Sequence, residues 1–182
     1  MFETLVVIAI VLAIVIAAVL ILASTKPDSF SVQRSMVVTA PAEKIFPLIS
    51  NFHQWAQWSP WENRDPAMKR SYSGSESGKG AVYAWDGNKN VGSGRMEILE
   101  DSSPSKIVIK LDFFKPFEGH NTAEFTMQPE RNAGSTATNV NWVMHGPAPF
   151  MHRVMQVFMN FDKMIGKDFE AGLARLKTLA EK

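Results

Sequence analysis

The chain of 182 residues contains no cysteine. Disulfide stapling and thiolate nucleophiles are therefore excluded. This fits a cytoplasmic setting and is compatible with a periplasm-like one. An excess of either charge is missing too. Nineteen Lys and Arg against 18 Asp and Glu leave a net charge of +1. A nucleic-acid binder would carry a basic surplus, so no nucleic-acid partner is expected. Histidine is scarce and scattered: His53, His120, His145 and His152 form no i,i+4 pair, so no metal site is expected. There is no G-x-S-x-G nucleophile elbow, and GSESGKG at 74–80 fails as a phosphate loop. Its glycine spacing is one residue short, and Gly80 stands where a magnesium-binding Ser or Thr belongs. It reads as a turn before a strand. No cofactor is indicated, no catalytic residue can be assigned, and no internal repeat is present.

What the chain does have is a long hydrophobic run. Leu5–Ala23 carries no polar side chain over 19 residues. As a helix it extends roughly 28 Å, close to the ~30 Å hydrocarbon core of a bilayer. A cleaved signal peptide has a shorter apolar core, of about 7–15 residues, and a basic residue ahead of it. Neither holds here, and no A-x-A pattern follows. The expected organisation is a single-pass membrane anchor over 1–24, a linker over 25–29 and a domain over 30–182. Lys26 and Arg34 follow the span, which leans towards a cytoplasmic C-terminal domain.

Beyond the linker, period-two alternation marks half-buried strands. KIVIKLDF sends Ile107, Ile109, Leu111 and Phe113 to one face and Lys106, Val108, Lys110 and Asp112 to the other. TAEFTMQ does the same with Ala123, Phe125 and Met127, and NVNWVMH with Val140, Trp142 and Met144. Segments 31–38, 81–85 and 91–99 bring the count to six or seven strands. Asp86-Gly87-Asn88, Ser102-Ser103-Pro104 and Arg131-Asn132-Ala133-Gly134 supply short turns. Alternation with short turns predicts an antiparallel sheet with one wet face. Arg34 falls on the apolar parity of Val32, Met36 and Val38, so either a bulge or a strand-end position lies there, the favoured reading, or an arginine faces inward and needs a partner.

Two helices are predicted. One starts at Ala40-Pro41-Ala42-Glu43 and breaks near Ser50-Asn51. The other runs unbroken from about Pro149 to Ala180, with an apolar stripe from Phe150 through Phe161, Phe169 and Leu173 to Leu179. Such a stripe must be buried, and the apolar face of the sheet is the available partner. The predicted fold is α+β, an antiparallel sheet curled around a long C-terminal helix.

Three of the five tryptophans fall in WAQWSPW at 55–61. They either cap the core or form one wall of an apolar pocket. Met151, Met155, Met159 and Met164 widen the apolar surface of the first half of the last helix; they either fill the core or line a binding surface. Arg34, Glu97 and Tyr83 are the candidate polar groups for any chemistry inside.

Three segments, APAEKIFPLISNFHQWAQWSPW, GKGAVYAWDGNKNVGSGRMEI and FDKMIGKDFEAGLARLK, resemble the START-like (SRPBCC) superfamily. Within it they are most similar to the polyketide cyclase/dehydrase and lipid-transport family, over about residues 30–180. The resemblance implies a helix-grip fold, a sheet wrapped on the C-terminal helix around an apolar cavity. It implies, by position, that Trp55, Trp58, Trp61, Trp85, Phe113, Phe125, Trp142, Met155, Phe158 and Met159 line that cavity. Family members include lipid carriers, quinone-binding proteins, aromatic cyclases and chaperone activators, so the fold does not fix one activity. The expected function is non-enzymatic binding of a hydrophobic small molecule, a lipid or isoprenoid-like compound, by a membrane-anchored domain. A cyclase- or dehydratase-type enzyme is the alternative. A protein-interaction module is another, and it requires exposed tryptophans in the 55–61 loop.

Overall fold

The structure is a computed structural model and describes residues 1–130 and 136–182. The turn expected at Arg131–Gly134 lies outside the described residues. The chain begins with helix α1, Phe2–Ser24, which is apolar on every side. At about 1.5 Å per residue it is roughly 34 Å long, enough to cross a membrane.

Strand β1 (Ser29–Val38) starts five residues later, and α2 (Ala42–Ser50) and a short 3-10 helix (Phe52–Gln57) follow. Then come β2 (Lys69–Gly74), β3 (Ala81–Asp86), β4 (Ser93–Ser102), β5 (Lys106–Lys115), β6 (Gly119–Pro129) and β7 (Thr138–Pro147). The seven strands form one antiparallel sheet in the order β1-β7-β6-β5-β4-β3-β2. The inner face carries the residues that alternation selected: Ile107, Ile109, Leu111, Ala123, Phe125, Met127, Val140, Trp142 and Met144 are all buried.

The C-terminal segment departs from the expected single helix. It divides into α3 (Phe150–Phe158) and α4 (Phe161–Ala180). Met159 adopts an extended backbone and ends α3. Asn160 then caps α4, its side-chain oxygen accepting the Lys163 N–H at 2.8 Å, and Asp162 sits in the positive first turn. Of these two helices, α4 is the one gripped by the sheet. It lies along β1, with Phe169, Leu173 and Leu176 buried. Lys177 donates to the Val37 carbonyl at 2.7 Å, and Glu181 accepts the Thr39 N–H at 2.6 Å. Helix α3 buries no residue completely and packs against α1.

The bulge expected at Arg34 is absent. The β1–β7 register is continuous from Ser29 to Val38, and Arg34 points towards α4. Its guanidinium donates to Glu170 at 2.8 Å and Asp162 at 3.0 Å. Asp162, Gly166 and Glu170 are four residues apart, so they share one face of α4. Gly166 leaves the space that the guanidinium occupies, since a Cβ there would collide with it. An inward arginine is tolerated because two carboxylates on the facing helix receive it.

One strand was not foreseen. Edge strand β2 reads KRSYSG, and its single large apolar side chain, Tyr72, is partly exposed. With one wet face and one open edge it has no alternation to betray it.

Candidate functional site

The tryptophan segment divides into two roles. Trp55 and Trp58 are buried, and their indole N–H groups donate to the carbonyls of Ile49 at 2.9 Å and Leu48 at 2.8 Å. Those carbonyls belong to the last turn of α2, which has no further helical turn to accept them. The rings therefore cap a helix while packing the core. Trp58 lies with its centroid 4.7 Å from that of Trp55, 5.7 Å from Trp142 and 6.1 Å from Phe125. Trp61 is only half-buried and meets Trp142 and Phe169 edge-on at 5.8 and 6.2 Å.

A cavity of about 790 Å³ lies beside this cluster. It arises because α4 lies along β1 and covers that side of the sheet. The inner faces of β3, β4 and β5 are left to the 55–68 loop, α3 and the start of α4. Of the ten residues expected to line it, Trp55, Trp61, Trp85, Phe113, Trp142 and Met155 are on the wall. Trp58 and Phe125 stand behind that wall in the solid core, each fully buried. Phe158 and Met159, at the end of α3, are exposed to the outside. The helix break turns them away from the sheet. Met96, Leu111, Ala123 and Met144 complete the apolar lining from the strands. Trp85 can lie flat across β4 because Gly94 has no side chain; a Cβ there would come within 2.5 Å of the indole.

The polar groups of the cavity are few and mostly engaged. Tyr83 donates its hydroxyl to Glu62 at 2.6 Å, and Arg70 donates to the other carboxylate oxygen at 2.7 Å. Burial, then the hydrogen bond to the Glu62 carboxylate, pushes the Tyr83 phenol far above its ordinary range. Tyr83 thus stays protonated and is no base. Glu62 and Arg70 were not singled out from the sequence. They are eight residues apart across a turn, and only the fold brings Tyr83 to them. Asp65 fastens the same loop, accepting the Asn88 N–H at 2.7 Å. Arg64 pairs with Asp168 of α4. His152 stacks between Phe30 and Phe161, at 5.2 and 4.6 Å, and burial pushes its imidazole down, keeping it neutral.

The other two polar candidates lie elsewhere. Glu97 is on the outer face of the sheet, paired with Arg95 at 2.8 Å. Arg34 is taken up by α4 as described. On the outer face, Asp112 and His120 form a further pair at 2.7 Å, with Lys110 at 2.9 Å from the same carboxylate. Burial alone would push the Asp112 carboxyl up; hydrogen bonds from His120 and Lys110 outweigh it and hold the group below its usual range. The same bond to Asp112 raises the His120 imidazole. No cluster of three or more metal-ligating side chains occurs among the described residues.

A sheet gripping one helix and enclosing an apolar hollow defines the helix-grip class of container folds. Residues 29–181 match the family described as polyketide cyclase / dehydrase and lipid transport, and the chain belongs to it. Solved structures agree on the fold. A protein from Chromobacterium violaceum is 15% identical with a TM-score of 0.57, covering 86% of this chain and 99% of its own. The Aha1 dimer from Colwellia psychrerythraea is 14% identical with a TM-score of 0.58, covering 84% of this chain and 96% of its own. The di-domain ARO/CYC BexL is 14% identical with a TM-score of 0.59, covering 88% of this chain and 53% of its own. At these identities the likeness is one of fold alone. A search of curated proteins found no match.

Proposed function

We propose that the protein is a membrane-anchored container that binds a hydrophobic small molecule, a lipid or isoprenoid-like compound, in the cavity beneath the sheet. The observation that carries this reading is the cavity itself: about 790 Å³, walled by tryptophan, phenylalanine, methionine and leucine. Sites for small molecules commonly span roughly 300–1,000 Å³ and are mostly apolar with a few placed polar groups. Burial of apolar ligand surface supplies the affinity, at roughly 25 cal/mol per Å² before the costs of association. The apolar helix α1 serves as the anchor, and tethering keeps the container where such ligands partition. Chemistry is a weaker reading for this cavity. Its tyrosine is held protonated and its buried glutamate is already paired with Arg70; of the two histidines on its lining, burial disfavours the charged form of His152, and His120 is bonded to Asp112 on the outer face of the sheet. The partner-surface reading of the 55–61 loop needs exposed rings, whereas Trp55 and Trp58 are buried.

The test is native mass spectrometry of the full chain in lipid nanodiscs. A bound apolar compound is expected on the wild-type protein. Ala123, on the β6 wall of the cavity, offers the blocking variant. Ala123→Phe is expected to fold and to lose the adduct. A wild-type protein that carries no adduct, or a folded Ala123→Phe variant that keeps it, refutes the assignment.

A further inference from the structure

The cavity is open at one end of the sheet, and the topology says which. The β5–β6 turn contributes Phe117 to the mouth, the end of β7 contributes Pro147, and α3 contributes Met151 and Met155. In an antiparallel sheet, that is also the end where β1 begins. Strand β1 begins at Ser29, five residues beyond the end of α1, and the Ala148 N–H donates to the Asp28 carbonyl at 2.6 Å. The mouth and the exit of the apolar helix are therefore at the same end of the domain. Helix α1 packs directly on α3, and its one buried residue, Ala23, is in its last turn.

The rim around that mouth is exposed and apolar. Phe117 and Met151, on the cavity lining, are 65% and 64% exposed; Phe114 and Phe158, on β5 and α3 but outside the lining, are 53% and 71% exposed. Large side chains at such exposure, grouped on one end, mark an interaction surface. Helix α3 is amphipathic and half-buried over 152–157, with Phe150, Met151 and Phe158 exposed at its ends, so its outer side is free to meet a membrane interface. Lys26, just past α1, and Lys115, 4.0 Å from Asp86, lie near the same end, as do Asp28 and Glu118, so the rim carries charges of both signs.

We infer that the occupant of this rim is the bilayer surface. Helix α3 and the 114–117 turn rest in the headgroup region, so the cavity opens onto lipid rather than water. The inference builds on the proposed anchor and binding cavity, and adds the route: the guest passes from the leaflet between Phe117 and α3 without crossing solvent. The end carrying the β2–β3 turn, with Glu76, points away from the membrane.

The absence of cysteine makes the test direct. Single-cysteine variants F117C, F158C and E76C of the full chain are labelled with an environment-sensitive fluorophore in nanodiscs of phosphatidylcholine and phosphatidylglycerol. Doxyl-labelled lipid is then added as quencher, and the intact mass of each sample confirms that α1 is retained. Labels at 117 and 158 are expected to be quenched at least twofold more strongly than the label at 76. Equal quenching at the three positions overturns the inference. Native mass spectrometry on the same samples separates the two ideas. A bound guest with equal quenching leaves the container standing and removes the docking. Selective quenching without a guest upholds the docking and refutes the container.

Discussion

Trp58→Ala is the sharpest test of how the tryptophan segment is divided between core and cavity. Trp58 is fully buried, with three aromatic neighbours within 6.1 Å and an N–H bond to the end of α2. A buried indole removes about 150–250 Å² from water, which at ~25 cal/mol per Å² is about 4–6 kcal/mol as an upper bound. Truncations of this kind cost about 3–5 kcal/mol, and a carbonyl left buried without a donor adds about 1–3 kcal/mol. Taking about 4 kcal/mol, and about 2–4 °C per kcal/mol for a domain of this size, Tm should fall by about 8–16 °C. The assay is near-UV circular dichroism on heating the full chain in nanodiscs. Trp61→Ala, at a half-exposed position on the cavity wall, should move Tm by less than half as much while weakening retention of the bound compound. A Trp58→Ala protein melting within about 3 °C of wild type would refute the division, because Trp58 would then support nothing.

Other expectations follow from single contacts. Gly166→Ala should lower Tm in the wild-type protein, where the added methyl displaces Arg34 from Asp162 and Glu170. In an Arg34→Ala background the same change should raise it, since only the helix preference of about 1 kcal/mol for alanine remains; thermal melts of the four proteins give the sign. The His120–Asp112 pair sets a pH window with two sides. The raised imidazole stabilises the fold below its unfolded pKa, and that share is lost as pH rises through the folded pKa; the lowered carboxyl stabilises above its unfolded pKa and is lost as pH falls through its folded one. His120→Gln should therefore flatten the alkaline side of a Tm–pH profile, and an unchanged slope there would count against the pair. Acrylamide should quench the intrinsic fluorescence weakly, because Trp55, Trp58 and Trp142 are each at most 3% exposed. Strong quenching of all five rings would be incompatible with this packing.

Much of the architecture was legible before any coordinates. Residues 106–113 and 139–145 alternate so cleanly that their inner faces follow from the pleat alone, and the run at 5–23 declares itself by length. The errors share a cause. Strand β2 is an edge with little to bury, so its sequence carries no period. The break at Met159–Asn160 was hidden because the apolar stripe continues on both sides of it. The local signal, an asparagine cap followed by Asp162, was present but outweighed by that stripe. The parity of Arg34 allows a bulge or an inward arginine with a partner, and local sequence favours the wrong one of the two. Its reception by Asp162 and Glu170, over 120 residues away, is a fact of tertiary structure. The same holds for Glu62, whose partners Arg70 and Tyr83 meet it only after folding. Residues such as Phe158 have the composition of a cavity wall. Their direction depends on where a helix stops, which composition does not record.

The fastening of α4 along β1 has a bearing on crowding. A domain tethered to a membrane, as proposed here, diffuses in a plane and meets its copies far more often than one free in solution. A bare outer strand would then invite neighbouring molecules to zip together. On one flank, the Lys177 ammonium and the Glu181 carboxylate already occupy the backbone of Val37 and Thr39. On the other, β2 is short and polar, with Lys69 exposed at its start. Both flanks of the sheet thereby offer little backbone or flat apolar surface for edge-to-edge pairing with a second copy.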